Sequence, residues 1–173
     1  MKQEFTSAAT SINSSRCPAI YSKPNVVPYL VNKRVLDYGG GKYDTAINRA
    51  KRYGCEVKVY DPYNRSESEN LQALQSGPYD CVISSNVLNV IKEPEVRAAV
   101  VRDMARHCKE RGVMFFTVYE GDKSGVGRQT GKDQWQENRP IESYMREVAH
   151  TLAQEKCLAG VRIANKVLTV WVH

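Results

Sequence analysis

No apolar run in this chain approaches the roughly 20 residues that a bilayer-spanning helix needs. The first fifteen residues are polar, with Ser, Thr and Asn but without the apolar stretch of a secretory leader, so the expectation is a cytoplasmic protein with no membrane partner. Paired cysteines are absent too. Cys17, Cys55, Cys81, Cys108 and Cys157 stand singly, and their odd number and spacing argue against both a disulfide framework and a zinc site. The three histidines, His107, His150 and His173, are scattered, and no metal site is expected. Acidic residues are outnumbered, leaving a net charge of +6. That excess suits either a polyanionic partner, whose phosphates basic groups neutralise, or an ordinary basic surface.

What is present is concentrated in one decapeptide, Val35-Leu36-Asp37-Tyr38-Gly39-Gly40-Gly41-Lys42-Tyr43-Asp44. An apolar run reaches a carboxylate, then three glycines, then a segment with helical spacing. Glycine belongs where backbone turns sharply or comes close to a ligand. The free N–H groups of the helix start that follows favour an anionic or strongly polar ligand. Twenty-four residues after Asp37, a second apolar run, Glu56 to Tyr60, ends in Asp61, where a carboxylate suits a ribose diol. Together the two runs predict a nucleoside-cofactor site.

The rest of the chain alternates. Strands are predicted at Arg34–Tyr38, Glu56–Tyr60, Tyr79–Ser84 and Val113–Tyr119, and helices at Asp44–Tyr53, Ser66–Gln75 and from Pro94 to about Glu110, where Gly112 is the expected terminator. A short helix over Asn25–Val31 is expected despite Pro28. Glu120 to Arg139 reads as a charged, glycine-rich loop, and Ile141, Tyr144, Met145, Val148, Ala149 and Leu152 mark one face of a helix opened by Pro140. Leu158–Ala164 and Lys166–Val172 predict a closing hairpin around Asn165. Strands alternating with helices give an α/β, Rossmann-like, doubly wound and mostly parallel sheet. The expected organisation is residues 1–33 as a segment packing on or capping the cofactor site, and 34–173 as the Rossmann-like domain.

A dinucleotide turn requires a small residue at the third position of G-x-G-x-x-G/A, and Asp44 stands there. The acidic residue two positions before Gly39 and the closing hairpin point elsewhere. The sequence resembles the class I S-adenosylmethionine-dependent methyltransferases, whose first motif is an apolar strand, Asp or Glu, any residue, then Gly-x-Gly-x-Gly. More narrowly it is similar to small phage, mobile-element and DNA-modification-associated members. The likeness runs from about Ser11 to Leu152 and is carried by Leu36-Asp37-Tyr38-Gly39-x-Gly41, Asp61-Pro62-Tyr63 and Asn86-Val87-Leu88-Asn89-Val90-Ile91. Tyr43 departs from it at the third glycine. The connection from Asp61 to Tyr79 is also short, 17 residues, so the sheet is expected to be reduced between its second and fourth strands.

The resemblance implies S-adenosyl-L-methionine as cofactor. Asp37 would order the turn and accept from the cofactor ammonium, while Gly39, Gly40 and Gly41 would admit the cofactor to the backbone. Asp61 would take both ribose hydroxyls, with Pro62 and Tyr63 near the adenine. Asn86 and Asn89 would lie where substrate and methyl group meet, as catalytic candidates, with Asn86 also touching the cofactor. Each has a plainer reading: Asp37 and Asp61 as caps, Asn86 and Asn89 as turn formers. Lys123, Arg128, Lys132 and Arg139 among the loop glycines read as a phosphate-binding lid, with Trp135 stacking on a base and Arg16 and Lys23 extending the basic rim.

Motifs for base methylation are missing: neither Asn/Asp-Pro-Pro-Tyr/Phe nor a Pro-Cys nucleophile occurs, and Ser85-Asn86-Val87-Leu88 stands in that place. The leading expectation is a methyltransferase acting on nucleic acid or a nucleotide. Two alternatives stay open: another use of the same cofactor, by aminocarboxypropyl transfer or cleavage, prompted by Tyr43, and a non-catalytic cofactor-binding or nucleic-acid-binding subunit.

Overall fold

A computed structural model describes residues 3–12 and 16–173. Four apolar runs form the parallel strands β1 (Arg34–Tyr38), β2 (Glu56–Tyr60), β3 (Tyr79–Ser85) and β4 (Cys108–Thr117). A small separate hairpin follows, β5 (Gly127–Gly131) with β6 (Gln134–Glu137). The last strands, β7 (Leu158–Ala164) and β8 (Val167–Val172), pair antiparallel and add β8 beside β4. The main sheet has six strands in the order β2-β1-β3-β4-β8-β7. The closing turn expected at Asn165 also takes in Lys166, both at positive φ (51° and 60°), and β8 begins one residue later than expected. A two-residue turn of that hand matches strand twist and joins neighbouring strands directly.

The helices are α1 (Ala8–Ile12), α2 (Thr45–Ala50), α3 (Glu67–Gln75), α4 (Pro94–His107) and α5 (Ile141–Gln154). Side chains alternate across a strand, so β1 sends Val35 into one core and Leu36 and Tyr38 into the other. The first core gathers Ile20, Tyr21, Leu30 and α2. The second gathers Ala73 of α3, Met104 of α4 and Tyr144, Val148 and Leu152 of α5. Local signals fix the helix starts. Ser66 and Glu69 form a reciprocal capping box at α3, and Pro94 occupies the first turn of α4.

Several expectations need correction. The helix expected over Asn25–Val31 is only a 3-10 turn at Val27–Tyr29, as Pro28 removes a donor. The helix expected to Tyr53 tightens after Ala50 into a 3-10 turn ending at Gly54, φ 68°. Gly112 terminates no helix: α4 stops at His107, and the register then jumps from Tyr79↔Cys108 to Cys81↔Val113. Lys109–Gly112 therefore bulge out of β4, and Lys109 donates to Asp80 (2.8 Å). The presumed loop Glu120–Arg139 contains the β5–β6 hairpin. All 18 residues between β2 and β3 are described, and they supply α3 and turns but no strand.

One buried cation braces the far side of the second core. Arg97 of α4 donates to both Glu147 carboxylate oxygens (2.8 and 3.1 Å) and to the carbonyls of Ile91 and Lys92 (2.8 and 2.9 Å). It thereby locks the segment after β3 against α4 and α5. Replacing Arg97 by Met leaves two carbonyls unpaired and Glu147 held by Arg139 alone, and the expected loss is about 3 kcal/mol. Urea unfolding followed by circular dichroism measures it.

Candidate functional site

The carboxyl ends of β1, β2 and β3 open into a cavity of about 560 Å³. Its floor is the glycine turn. Gly39 has φ 79°, and a Cβ there would run into the Val87 side chain. At Gly40 a Cβ would sit 2.8 Å from both Asp37 Cγ and Val59 Cγ1. Both positions are thus reserved for glycine by packing, and the turn lies directly over Asp37.

Asp37 is buried, and among the described residues only the Tyr21 phenol reaches toward its carboxylate, neither oxygen receiving a hydrogen bond of ordinary geometry. The Tyr21 phenol belongs to the same buried neighbourhood, is also unpaired, and stays neutral because burial pushes its pKa well up. Burial raises the Asp37 carboxyl to about 7; Tyr21 opposes that shift, and the Asp61 charge adds to it. A desolvated carboxylate without partners is costly. An arriving cation would relieve the cost.

Asp61 is in the opposite condition. Its Oδ1 accepts from the N–H groups of Tyr63 and Asn64 (both 3.0 Å) and from Asn64 Nδ2 (3.2 Å), and its Oδ2 accepts from Gly41 N–H (2.9 Å). A carboxylate offers about four lone-pair positions. The expectation that Asp61 takes both ribose hydroxyls is therefore narrowed: one position, on Oδ2, remains. Arg65, which sequence reasoning missed, completes the clasp by donating to the Gly41 carbonyl (2.7 Å) and to Asp44 (2.8 Å).

Pro62 and Tyr63 line the same end, and the Tyr63 hydroxyl donates to Gln3 (3.1 Å). Tyr43 lines the cavity with Lys42 over its ring, 5.0 Å from the centroid. Asn86 also lines it, exposed and at φ 59°, a left-handed conformation that asparagine tolerates. Asn89 is buried and donates to Gln136 Oε1 (3.2 Å). Arg16 lines the cavity as well.

The other basic candidates lie elsewhere. Lys123, Arg128, Lys132 and Trp135 do not line the cavity. Lys123 pairs with Glu120 (3.0 Å), while Arg128 and Lys132 point outward from the hairpin. Arg139 is bound to Glu147 (2.6 Å). Trp135 is stacked on Phe5, centroids 5.6 Å apart, with Lys92 over its ring. That stack anchors the N-terminal strap, whose Gln3, Thr6, Ser7, Ala8 and Thr10 roof the cavity. Thr6 and Ser7 bond to Asp133 of the hairpin turn, and Lys92 pairs with Glu4 (2.6 Å).

Residues 22–155 match the model of a family described as a methyltransferase domain. The chain belongs to that family. Its fold is that of class I S-adenosylmethionine-dependent methyltransferases, on likeness to solved structures. The sugar N-methyltransferase KedS8 of a Streptoalloteichus species superposes with a TM-score of 0.60 at 13% identity, over 100% of this chain and 94% of that one. Human N-acetylserotonin methyltransferase in complex with SAM gives 0.57 at 13%, over 96% and 65%. The 1,6-didemethyltoxoflavin-N1-methyltransferase of Burkholderia thailandensis, with bound S-adenosylhomocysteine, gives 0.56 at 14%, over 81% and 71%. A curated relative, trichosetin synthetase PKS-NRPS1 of Gibberella fujikuroi, is 36% identical over 73 residues, 42% of this chain, and the matched stretch is 2% of that protein. Among the described residues, no helix of this methyltransferase domain is long and apolar enough to cross a membrane.

The residues fit a cationic, ribose-bearing cofactor: a buried carboxylate with two unpaired oxygens, a turn without side chains over it, and one open lone pair on Asp61. With the Asp37 carboxyl raised from 3.8 to about 7, the folded state holds a proton that the unfolded chain releases. Its stabilising effect is full below pH 4 and is lost as pH rises toward 7. Binding of an ammonium group runs the other way, strengthening as Asp37 ionises. Calorimetric titration with S-adenosylmethionine between pH 6 and 8 is expected to show affinity rising several-fold, up to about tenfold per unit below the pKa. Asp37→Asn should flatten that profile.

Proposed function

We propose that the protein transfers a methyl group from S-adenosylmethionine to a small acceptor bound under the N-terminal strap. The observation that carries this reading is the unpaired, buried Asp37 carboxylate beneath the glycine turn, in a cavity that continues to Asn86 and Asn89. When bound, the sulfonium cofactor supplies an electrophilic methyl group. Asp37 would hold its ammonium, Gly39–Gly41 would admit it to the backbone, Asp61 Oδ2 would take one ribose hydroxyl, and Pro62 and Tyr63 would lie near the adenine, with Tyr43 toward the methionine end.

Displacement at a methyl carbon asks the protein for alignment and exclusion of water more than for acid–base chemistry. The strap residues Gln3, Thr6, Ser7, Ala8 and Thr10, with Gln136 of the hairpin, cover part of the cavity and limit the access of water. An acceptor confined beneath them is of small-molecule size.

A second reading keeps nucleic acid or a nucleotide as substrate, in line with the resemblance to phage, mobile-element and DNA-modification-associated members. It is favoured by the +6 charge and by Arg128 and Lys132 exposed on the hairpin next to the strap. Binding of a single-stranded oligonucleotide that weakens steeply with salt, and is reduced by Arg128→Gln with Lys132→Gln, would support that reading.

The cofactor assignment is tested by calorimetry with S-adenosylmethionine and S-adenosylhomocysteine. One site is expected, and Asp61→Ala should lose about tenfold or more in affinity, since it frees Gly41, Tyr63 and Asn64 N–H groups and loosens the turn. Absence of binding to the wild type at millimolar ligand would overturn the proposal.

A further inference from the structure

Asn89 carries an unexplained feature. It is 1% exposed, it lines the cavity, and its Oδ1 has no hydrogen-bond partner. A buried amide carbonyl left unpaired costs on the order of 1–3 kcal/mol, so a donor that reached it through the cavity would be favoured.

The surrounding bonds fix which end of the amide is free. Gln136 on β6 donates through Nε2 to the carbonyls of Tyr119 (3.0 Å) and Glu137. With its nitrogen committed to two acceptors, Gln136 can present only Oε1 to Asn89. Asn89 must answer with Nδ2, as observed (3.2 Å). The carbonyl of Asn89 is therefore the free end, held there by a relay anchored in main chain. The group that meets it must be a donor, either N–H or O–H.

The titratable groups of the lining choose between those two. Among the described residues, histidine, glutamate and cysteine are missing from the lining, and its Lys42 is held over the Tyr43 ring (5.0 Å) beside the glycine turn. Its two carboxylates are committed to the cofactor end: Asp61 accepts from four donors, and Asp37 lies beneath the glycine turn. An alcohol or phenol would have to lose its proton to become a nucleophile, and an amide carbonyl is no base for it. A neutral amine needs no base, because its lone pair is already available. Its N–H bond to Asn89 would strengthen as positive charge develops on nitrogen.

We propose that Asn89, positioned by Gln136, is the acceptor-binding residue for an uncharged amine, and that this methyltransferase is N-directed. The inference rests on the cofactor reading above. In the transfer the nitrogen lone pair forms the new N–C bond, and the electron pair of the broken C–S bond stays on sulfur. The surplus N–H proton passes to water once the product ammonium is released.

The test uses full-length protein saturated with S-adenosylhomocysteine, which occupies the cofactor end and is itself measured by calorimetry. Aniline and phenol are titrated by NMR as a pair that differs by an amine against a hydroxyl. Expected are saturable binding of both, since each offers Asn89 a donor hydrogen, and, with methyl-labelled S-adenosylmethionine, label on the aniline nitrogen at least tenfold faster than on the phenol oxygen. Asn89→Leu should weaken binding of aniline at least tenfold while S-adenosylhomocysteine affinity stays within twofold. Gln136→Met, at a partly exposed position, should weaken aniline binding in the same direction by freeing the Asn89 amide to turn. The proposal is overturned if phenol is methylated as fast as aniline, if neither probe binds at millimolar concentration to protein that binds S-adenosylhomocysteine, or if aniline binding survives both substitutions. Failure of S-adenosylhomocysteine to bind withdraws the cofactor reading together with this one.

Discussion

The hydrogen bond from Gly41 N–H to the Asp61 carboxylate is the constraint on which the site depends. β1 and β2 run parallel and in register, Tyr38 beside Tyr60, so the segments that leave them start at the same level. Gly39 N–H then donates to the Tyr60 carbonyl (2.7 Å), Gly41 N–H to Asp61, and Arg65 returns to the Gly41 carbonyl. Each link fixes one peptide of the turn. A glycine turn has the largest conformational entropy to lose, and it is ordered here by the neighbouring strand end rather than by its own side chains.

That clasp also accounts for how the fold does without a strand between β2 and β3. β2 is an edge strand, whose end would be free to fray where pairing stops. Asn70 of α3 replaces the missing neighbour. Its Oδ1 accepts from Asp61 N–H (2.8 Å), and its Nδ2 donates to the Asp61 carbonyl (2.9 Å), bonds of the kind a paired strand would make. The capping box at Ser66 and Glu69 sets the first turn of α3 and so places Asn70. A nine-residue helix with a good cap thus performs the edge-holding of an absent strand.

What could be read in the sequence follows from the range of the forces involved. β1 was legible because burial on both faces demands a continuous apolar run, β2 because Val57 and Val59 alternate with polar neighbours, and the β7–β8 hairpin because Asn165 is a local turn signal. Asp37, the glycines and Asp61 were legible because strand ends set their places. Gly112 was misread because a glycine after an apolar helix looks the same whether it ends the helix or allows a bulge; only the pairing of β3 with β4 decides. The hairpin at Gly127–Glu137 was invisible for a related reason. Its strands are polar, and their pairing is held by the Trp135–Phe5 stack, across 130 residues of chain. Arg65 and Gln136 act on atoms brought close only by tertiary structure, and no spacing in the chain announces them.

Two of the buried acceptors without an ordinary hydrogen bond lie in the site. The strap, at Phe5 and Ser7, packs onto the hairpin and the segment after β3 through the Ser7 hydroxyl and the Trp135 stack. Beneath it, Asp37 and Asn89 keep acceptor oxygens that no hydrogen bond of ordinary geometry meets among the described residues. Folding alone would not favour such groups, since an apolar floor would cost less. Their positions at the ends of β1 and β3, one under the cofactor turn and the other under the Gln136 relay, put two unmet acceptors at two places along one cavity. A single cation would satisfy Asp37 and leave Asn89 unpaired; a donor at Asn89 would do the reverse. Full satisfaction requires two ligand groups at once, which is the arrangement a transfer between two bound molecules needs.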